Sequence, residues 1–400
     1  MIYQQGDRLT LEFELVCPPR PDQLDGLSCG DVTAELTVTA GEEGTTVRTA
    51  STSTDQIAFT LPESATSASD GLAYTAEFTL ADGTTVDYPA QSGSMSAISI
   101  STATEVDLGT AQFSVQEQDP GELVVNGGWG DGPDEFGINE QLSGPPSFDI
   151  DPTTGDIVIL DQMNSRIVRV SANGKSVTRP IQLHTGAPDL AVAPDGTLDV
   201  LWVRTISGAT LERFAPSGGE AIGEIQLATP SASAIRRVDD AVWVEGDDSY
   251  WMRVSQGEVT ATPAEQVDSA ASGMTDGDHL VFRKHLRELG NEVRIADVGP
   301  SRLRAWRLTG KTALGPVALA APLPDGRVVV VQSQFDNDHS QYTLLTLDDE
   351  QVETRVVPSA AYAGTYDPSE FRLVGTSLYQ TRSTKDGFAI YRYQLSRGVR

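Results

Sequence analysis

The side chains best suited to proton transfer or metal binding near neutral pH are four histidines, His184, His279, His285 and His339. No two of them stand at the i, i+4 helical spacing of a zinc peptidase. Neither a Gly-x-Ser-x-Gly elbow nor a Gly-x-x-x-x-Gly-Lys phosphate loop occurs. Catalytic and cofactor-binding residues are therefore not expected, and the chain reads as a non-enzyme. Hard oxygen ligands do crowd two turns. Asp149, Asp151 and Asp156 surround one, and Asp336 and Asp338 flank Asn337 in the other. Carboxylates so placed suit calcium, although Asp is also a turn former through side-chain bonds to its own backbone. Aromatic groups among acids form a third class. Trp129 and Phe136 sit in a glycine-rich, loop-like segment, and Tyr250 and Trp251 follow Asp247-Asp248-Ser249. They could stack on sugar rings, or they could pack between sheets. Cys17 and Cys29 flank Pro18-Pro19-Arg20-Pro21. A disulfide across that hairpin neck would add about 3 kcal/mol, and two free buried thiols are the alternative.

The surrounding charge narrows the partners. The 400 residues carry 57 acids against 28 bases, a net charge of −29. Such a field repels phosphate backbones and anionic lipid, which argues against nucleic acid and against membrane insertion. Only four of the bases are lysines, Lys175, Lys284, Lys311 and Lys385. Acidic, Lys-poor composition fits either a halophilic archaeon or a GC-rich genome. The start, Met-Ile-Tyr-Gln-Gln-Gly-Asp, has neither the basic nor the apolar region of a signal peptide. The expectation is a protein that leaves its cell, if it does, without a classical signal.

Strands must position these residues. Leu9, Leu11, Phe13 and Leu15 alternate with polar groups, and 32–38, 56–61, 73–80, 84–88 and 95–100 follow the same period of two. Gly41-Glu42-Glu43-Gly44 and Ala81-Asp82-Gly83 supply turns. Short strands so dense predict an immunoglobulin-like β-sandwich over 1–110. From 111 to 400 a strand, a turn rich in Asp or Gly and a Val-rich strand recur. The turns stand at Gly155, Gly196, Asp240, Gly277, Gly326 and Gly375. A period of about 44 residues fits a four-stranded propeller blade. The fold class is therefore all-β, a sandwich followed by a six-bladed β-propeller. The strand near 112–125 is expected to complete the last blade.

Gly127-Gly128-Trp129-Gly130-Asp131-Gly132-Pro133-Asp134-Glu135-Phe136, the strands of 148–160 and Asp161-Gln162-Met163-Asn164-Ser165-Arg166-Ile167 together resemble an NHL repeat. The resemblance covers about 50 residues, and the later copies lose the Asn-x-Arg-Ile signature. In this reading Asn164 and Arg166 fix a tight inter-strand turn through backbone bonds, while Ile167 and Val170 feed the core. The opening Gly6-Asp7 followed by Leu9-x-Leu11-x-Phe13 is similar to small β-domains at the start of tailed-virus baseplate, fibre and adaptor proteins. That resemblance implies a virion protein present in many copies, or as a homo-oligomer. Its partners would be other virion structural proteins and a host surface glycan or glycoprotein. An exported or cell-surface binding or sensor module is the alternative.

Overall fold

Period-two alternation becomes strand throughout. In the computed structural model the described residues are 2–6, 9–14, 31–40, 43–48, 56–61, 63–67, 72–88, 95–100, 102–113, 118–140, 142–172, 181–183, 187–204, 208–227, 232–238, 241–246, 251–255, 258–259, 274–275, 279–286, 291–298, 303–349, 351–359 and 370–395. Among them helix is confined to one α turn, Glu63–Thr66, and one 3-10 turn, Gln162–Asn164. Cys17, Cys29 and Tyr250 lie outside the described residues, as does His184. The chain is all-β and divides into two units after Ala103.

In the first unit, Thr33–Ala40 pairs with Glu43–Arg48 on one side and Leu72–Thr79 on the other. Met95–Ile100, Ile2–Gln4 and Thr85–Tyr88 complete a six-stranded sheet. Thr10–Glu14 and Gln56–Thr60 form a separate two-stranded sheet. The two sheets share one core, because Leu11 and Phe59 of the small sheet cluster with Leu36, Tyr74 and Phe78 of the large one. Phe13 seals it with edge-on contacts to Phe59 and Phe78 at 5.7 and 5.3 Å.

The described residues of the second unit form six sheets. In chain order their opening strands are Ser147–Ile150, Asp189–Val192, Ala232–Val238, Met274–Thr275, Ala313–Pro322 and Phe371–Val374. The turns at Gly155, Gly196, Gly326 and Gly375 each lie between the first and second strands of one sheet, and Asp240 and Gly277 lie outside the described residues. Two of these turns share one design. In both, the glycine N–H bonds back three residues, Gly196 to Ala193 and Gly326 to Leu323. The glycines take φ of +81° and +83°, a left-handed conformation that an L side chain rarely adopts. The opening strands of the first, second and third sheets lie side by side, and that of the sixth lies beside the first. This is a β-propeller-like arrangement.

The chain entering the second unit runs along the outer edges of three sheets. Thr104–Asp107 adds a parallel strand to Leu303–Thr309 of the fourth sheet. Asp119 N–H then bonds Val356 O on the outer strand of the fifth. Glu122–Trp129 pairs antiparallel with Gly387–Gln394 as the fourth strand of the sixth, with Glu135–Phe136 paired beyond it. The closing strand approaches so closely that a Cβ at position 387 would collide with the Gly127 carbonyl. Gly387→Ala is therefore expected to cost about 3 kcal/mol, read as a shift of the urea midpoint at unchanged slope.

Candidate functional site

One carboxylate joins four sheets. Asp189, fully buried at the start of the second sheet, accepts from Ser147 Oγ and its neighbour Leu190 N–H on Oδ1. Arg372 Nη2 of the sixth sheet donates to the same oxygen at 2.7 Å. Oδ2 accepts from Ile235 N–H at 2.8 Å and Arg236 Nη1 at 2.9 Å, both on the third sheet. Asp149, on the first sheet, repeats the motif by accepting Val192 N–H of the second at 2.8 Å. A strand facing its neighbour sideways leaves backbone N–H groups without ladder partners, and these carboxylates supply acceptors for two of them. Arg236 and Arg372 occupy the same place relative to their hairpins, opposite Trp243 and Tyr379.

Electrostatics follow from burial. Burial opposes the charge on Asp189, but Arg372 and Arg236, with the bonds from Ser147 and Ile235, hold its carboxyl below the ordinary value. Asp149 goes the other way: burial dominates and pushes its carboxyl up against the pull of Arg372. Burial, reinforced by Arg236, draws the Arg372 guanidinium down to about 10. Asp189 binds fewer protons folded than unfolded, so its contribution is present above its unfolded pKa and disappears as pH falls through the lower folded one. Asp151 is held down in the same direction. Stability is therefore expected to fall steeply below about pH 4, and an acid titration followed by circular dichroism should lose part of that slope in Asp189→Asn.

This cluster has the wrong chemistry for nucleophilic catalysis. Ser147 Oγ donates to a carboxylate of lowered basicity and accepts from Arg372 Nη2 at 3.2 Å. Among the described residues no imidazole is placed against it to act as general base.

The residues singled out in the sequence are placed as follows. Asp151 and Asp156 converge on Arg169, at 2.8 and 3.5 Å, and Asp149 turns to the second sheet instead. Asp336 accepts the N–H groups of Asp338 and His339 at 2.9 and 2.8 Å, as a turn former does. No group of three or more metal-ligating side chains occurs among the described residues. Trp129 and Phe136 lie on paired strands, not in a loop, because the segment bonds to Gly387–Gln394 and folds back on itself. Phe136 is buried against Phe388, centroids 4.9 Å apart, and cannot be a ligand platform. Trp129 is half-buried and donates Nε1–H to Thr384 O at 2.9 Å. Trp251 opens the strand Trp251–Ser255.

The Asp161, Asn164 and Arg166 signature makes a second clamp, with a target other than the one expected. The turn itself is closed by Ser165 at φ +52°, whose N–H bonds Gln162 O. Asn164 Nδ2 reaches back to Gly130 O at 2.8 Å, and Arg166 donates to the carbonyls of Asp131, Gly132 and Glu135 at 3.2, 3.0 and 2.5 Å. Asp161, wholly buried, holds both side chains and also accepts Gly137 N–H. The glycine-rich loop is thus gripped from beneath by the first sheet. Ile167 and Val170 are buried, on opposite faces of their strand.

No family model and no curated protein matches the chain, so neither the NHL nor the virus-particle resemblance gains support there. Similar solved structures exist at low identity. A protein of unknown function from Bacteroides thetaiotaomicron VPI-5482 is 11% identical, with 98% of this chain and 95% of that one covered and a TM-score of 0.40. Kuenenia stuttgartiensis hydrazine synthase is 14% identical over 64% of this chain and 88% of that chain, with a TM-score of 0.41. Streptogramin B lyase is 12% identical over 64% and 95%, at 0.38. At these scores the likeness carries no functional weight.

Further Arg–Asp links repeat the theme between sheets. Asp199 of the second sheet holds Arg213 of its own sheet and Arg237 of the third. Arg169 leans from the first sheet onto Gly196 O, the glycine turn of the second. Arg304 pairs with Asp297 of the fourth and donates to Gly326 O in the turn of the fifth.

Proposed function

We propose that the chain is a non-enzymatic structural protein of a tailed virus, a tail, baseplate or fibre component. An immunoglobulin-like sandwich attaches it to the particle. A six-bladed propeller presents a surface to the host and holds a glycan or glycoprotein there. The observation that supports a scaffold over an enzyme is the saturation of the Asp189 cluster, whose oxygens are taken by groups from neighbouring sheets. A catalytic carboxylate needs a lone pair free for substrate, and this one has both oxygens engaged. The acidic surface keeps many copies apart in solution, and copy number in a particle supplies avidity that one weak site lacks. Mass spectrometry of purified particles tests the reading. Recovery of the chain in stoichiometric multiples of a tail protein is expected. Recovery only with the cell envelope would replace it by a cell-surface binding module.

A further inference from the structure

The packing between the fourth and fifth sheets changes character along its length. On Val328–Phe335 and Ser340–Leu347 of the fifth sheet, Val328 and Val330 face the same way as their partners Leu347 and Leu345. These four pack with Val293, Ile295, Trp306 and Leu308 of the fourth sheet in one apolar core. Two and four residues beyond Val330 the same face carries Gln332 opposite Thr343, then Gln334 opposite Gln341. All four are buried, the glutamines at 0, 1 and 2% exposure.

Their internal bonds leave a remainder. Gln332 Nε2 spends its hydrogens on Gly315 O and Ser333 O at 2.7 and 2.8 Å, which fixes that amide and leaves Oε1 without a donor. Gln334 Oε1 accepts from Thr343 Oγ1 at 2.5 Å and Gln341 Nε2 at 3.4 Å. Gln334 Nε2 and Gln341 Oε1 are then unpartnered. Turning both of those amides over together exchanges the roles and leaves the same remainder, two acceptors and one donor. Buried polar atoms in folded proteins are paired with protein or with ordered water.

We propose that Gln332, Gln334 and Gln341 form a binding site for one internal water molecule in the seam between the fourth and fifth sheets. Water donates twice and accepts, which matches two carbonyl oxygens and one N–H, and buried waters typically make about three such bonds. A cation is disfavoured by the amide N–H and an anion by the two carbonyl oxygens. The site explains why three glutamines stand where the register calls for Val and Leu. They place polar side chains at one end of a seam whose other end is an apolar core.

A crystal structure of the full chain, at a resolution that shows solvent, tests this. One peak is expected within hydrogen-bond reach of all three amides. Amides rotated onto protein groups, with no peak between them, would overturn the proposal. Water oxygen-17 relaxation dispersion gives a second reading in solution. Gln334→Leu/Gln341→Leu should lose one long-lived water relative to the unaltered chain, and an unchanged count would contradict the site.

Discussion

Replacing Asp189 with alanine is expected to destabilise the second unit by about 3–5 kcal/mol, among the largest effects of any single substitution in the chain. The reason is the company it leaves behind. Arg372 is itself buried at 4% exposure and pairs with Asp189 at 2.7 Å. Without Asp189 the buried guanidinium loses its 2.7 Å counter-charge, and Asp149 stands farther off at 4.0 Å. Ile235 N–H and Ser147 Oγ lose their acceptor at the same time. Asp189→Asn should recover a part of this, because one amide oxygen still accepts while its NH2 group meets donors. Guanidinium titration followed by tryptophan fluorescence orders the three proteins, unaltered above Asn above Ala. Equal midpoints would mean that the cluster contributes nothing.

The second large effect is expected at Arg166. Four of the five N–H donors of its fork are used, with Nε on Asp161 and the two terminal nitrogens on three carbonyls of the glycine-rich loop. Arg166→Ala strands a carboxylate of 0% exposure and frees the loop, at a cost of about 3–5 kcal/mol. Arg166→Lys should recover little, since one ammonium cannot span targets that a planar fork reaches together. Loosening is also expected to be local first. The loop joins Glu122–Trp129 to Glu135–Phe136 at the edge of the sixth sheet, so limited proteolysis between 127 and 137 should appear before global unfolding. A lysine variant as stable as the unaltered chain would show that charge alone, not the fork, matters there.

Much of the architecture was legible because turn chemistry is local. Pro194-Asp195-Gly196 and Pro324-Asp325-Gly326 specify a left-handed glycine within a few residues, and the strands on either side alternate with period two. The strand expected near 112–125 lies at Glu122–Trp129, paired with Gly387–Gln394, so its place in the last sheet was legible and its start was not. The site was not. Asp189 stands after a proline, like many turn formers, yet its partners on other sheets lie 42 to 183 residues away. Asn164 and Arg166 were recognised as a signature, but their targets are carbonyls more than 30 residues earlier, which no local pattern encodes. A usable signal existed in Arg236 and Arg372, charged residues at matching places on opening strands that are otherwise largely apolar.

Lysine scarcity also acquires a physical component. Arg166, Arg169, Arg304 and Arg372 each bind a carboxylate and a second group at once, mostly across sheets. A point-charge ammonium cannot hold such forked targets. Genome composition sets a background, and the inter-sheet links favour arginine on top of it.

Backbone amide exchange at Val192 and Ile235 reads the links between sheets, because carboxylates of other sheets hold both N–H groups. If Asp149 and Asp189 join the sheets as described, both amides exchange only through global unfolding, and in Asp189→Asn Ile235 loses more protection than Val192, whose loss follows the global destabilisation alone. Rapid exchange of both in the unaltered chain would mean that these carboxylates do not join the sheets.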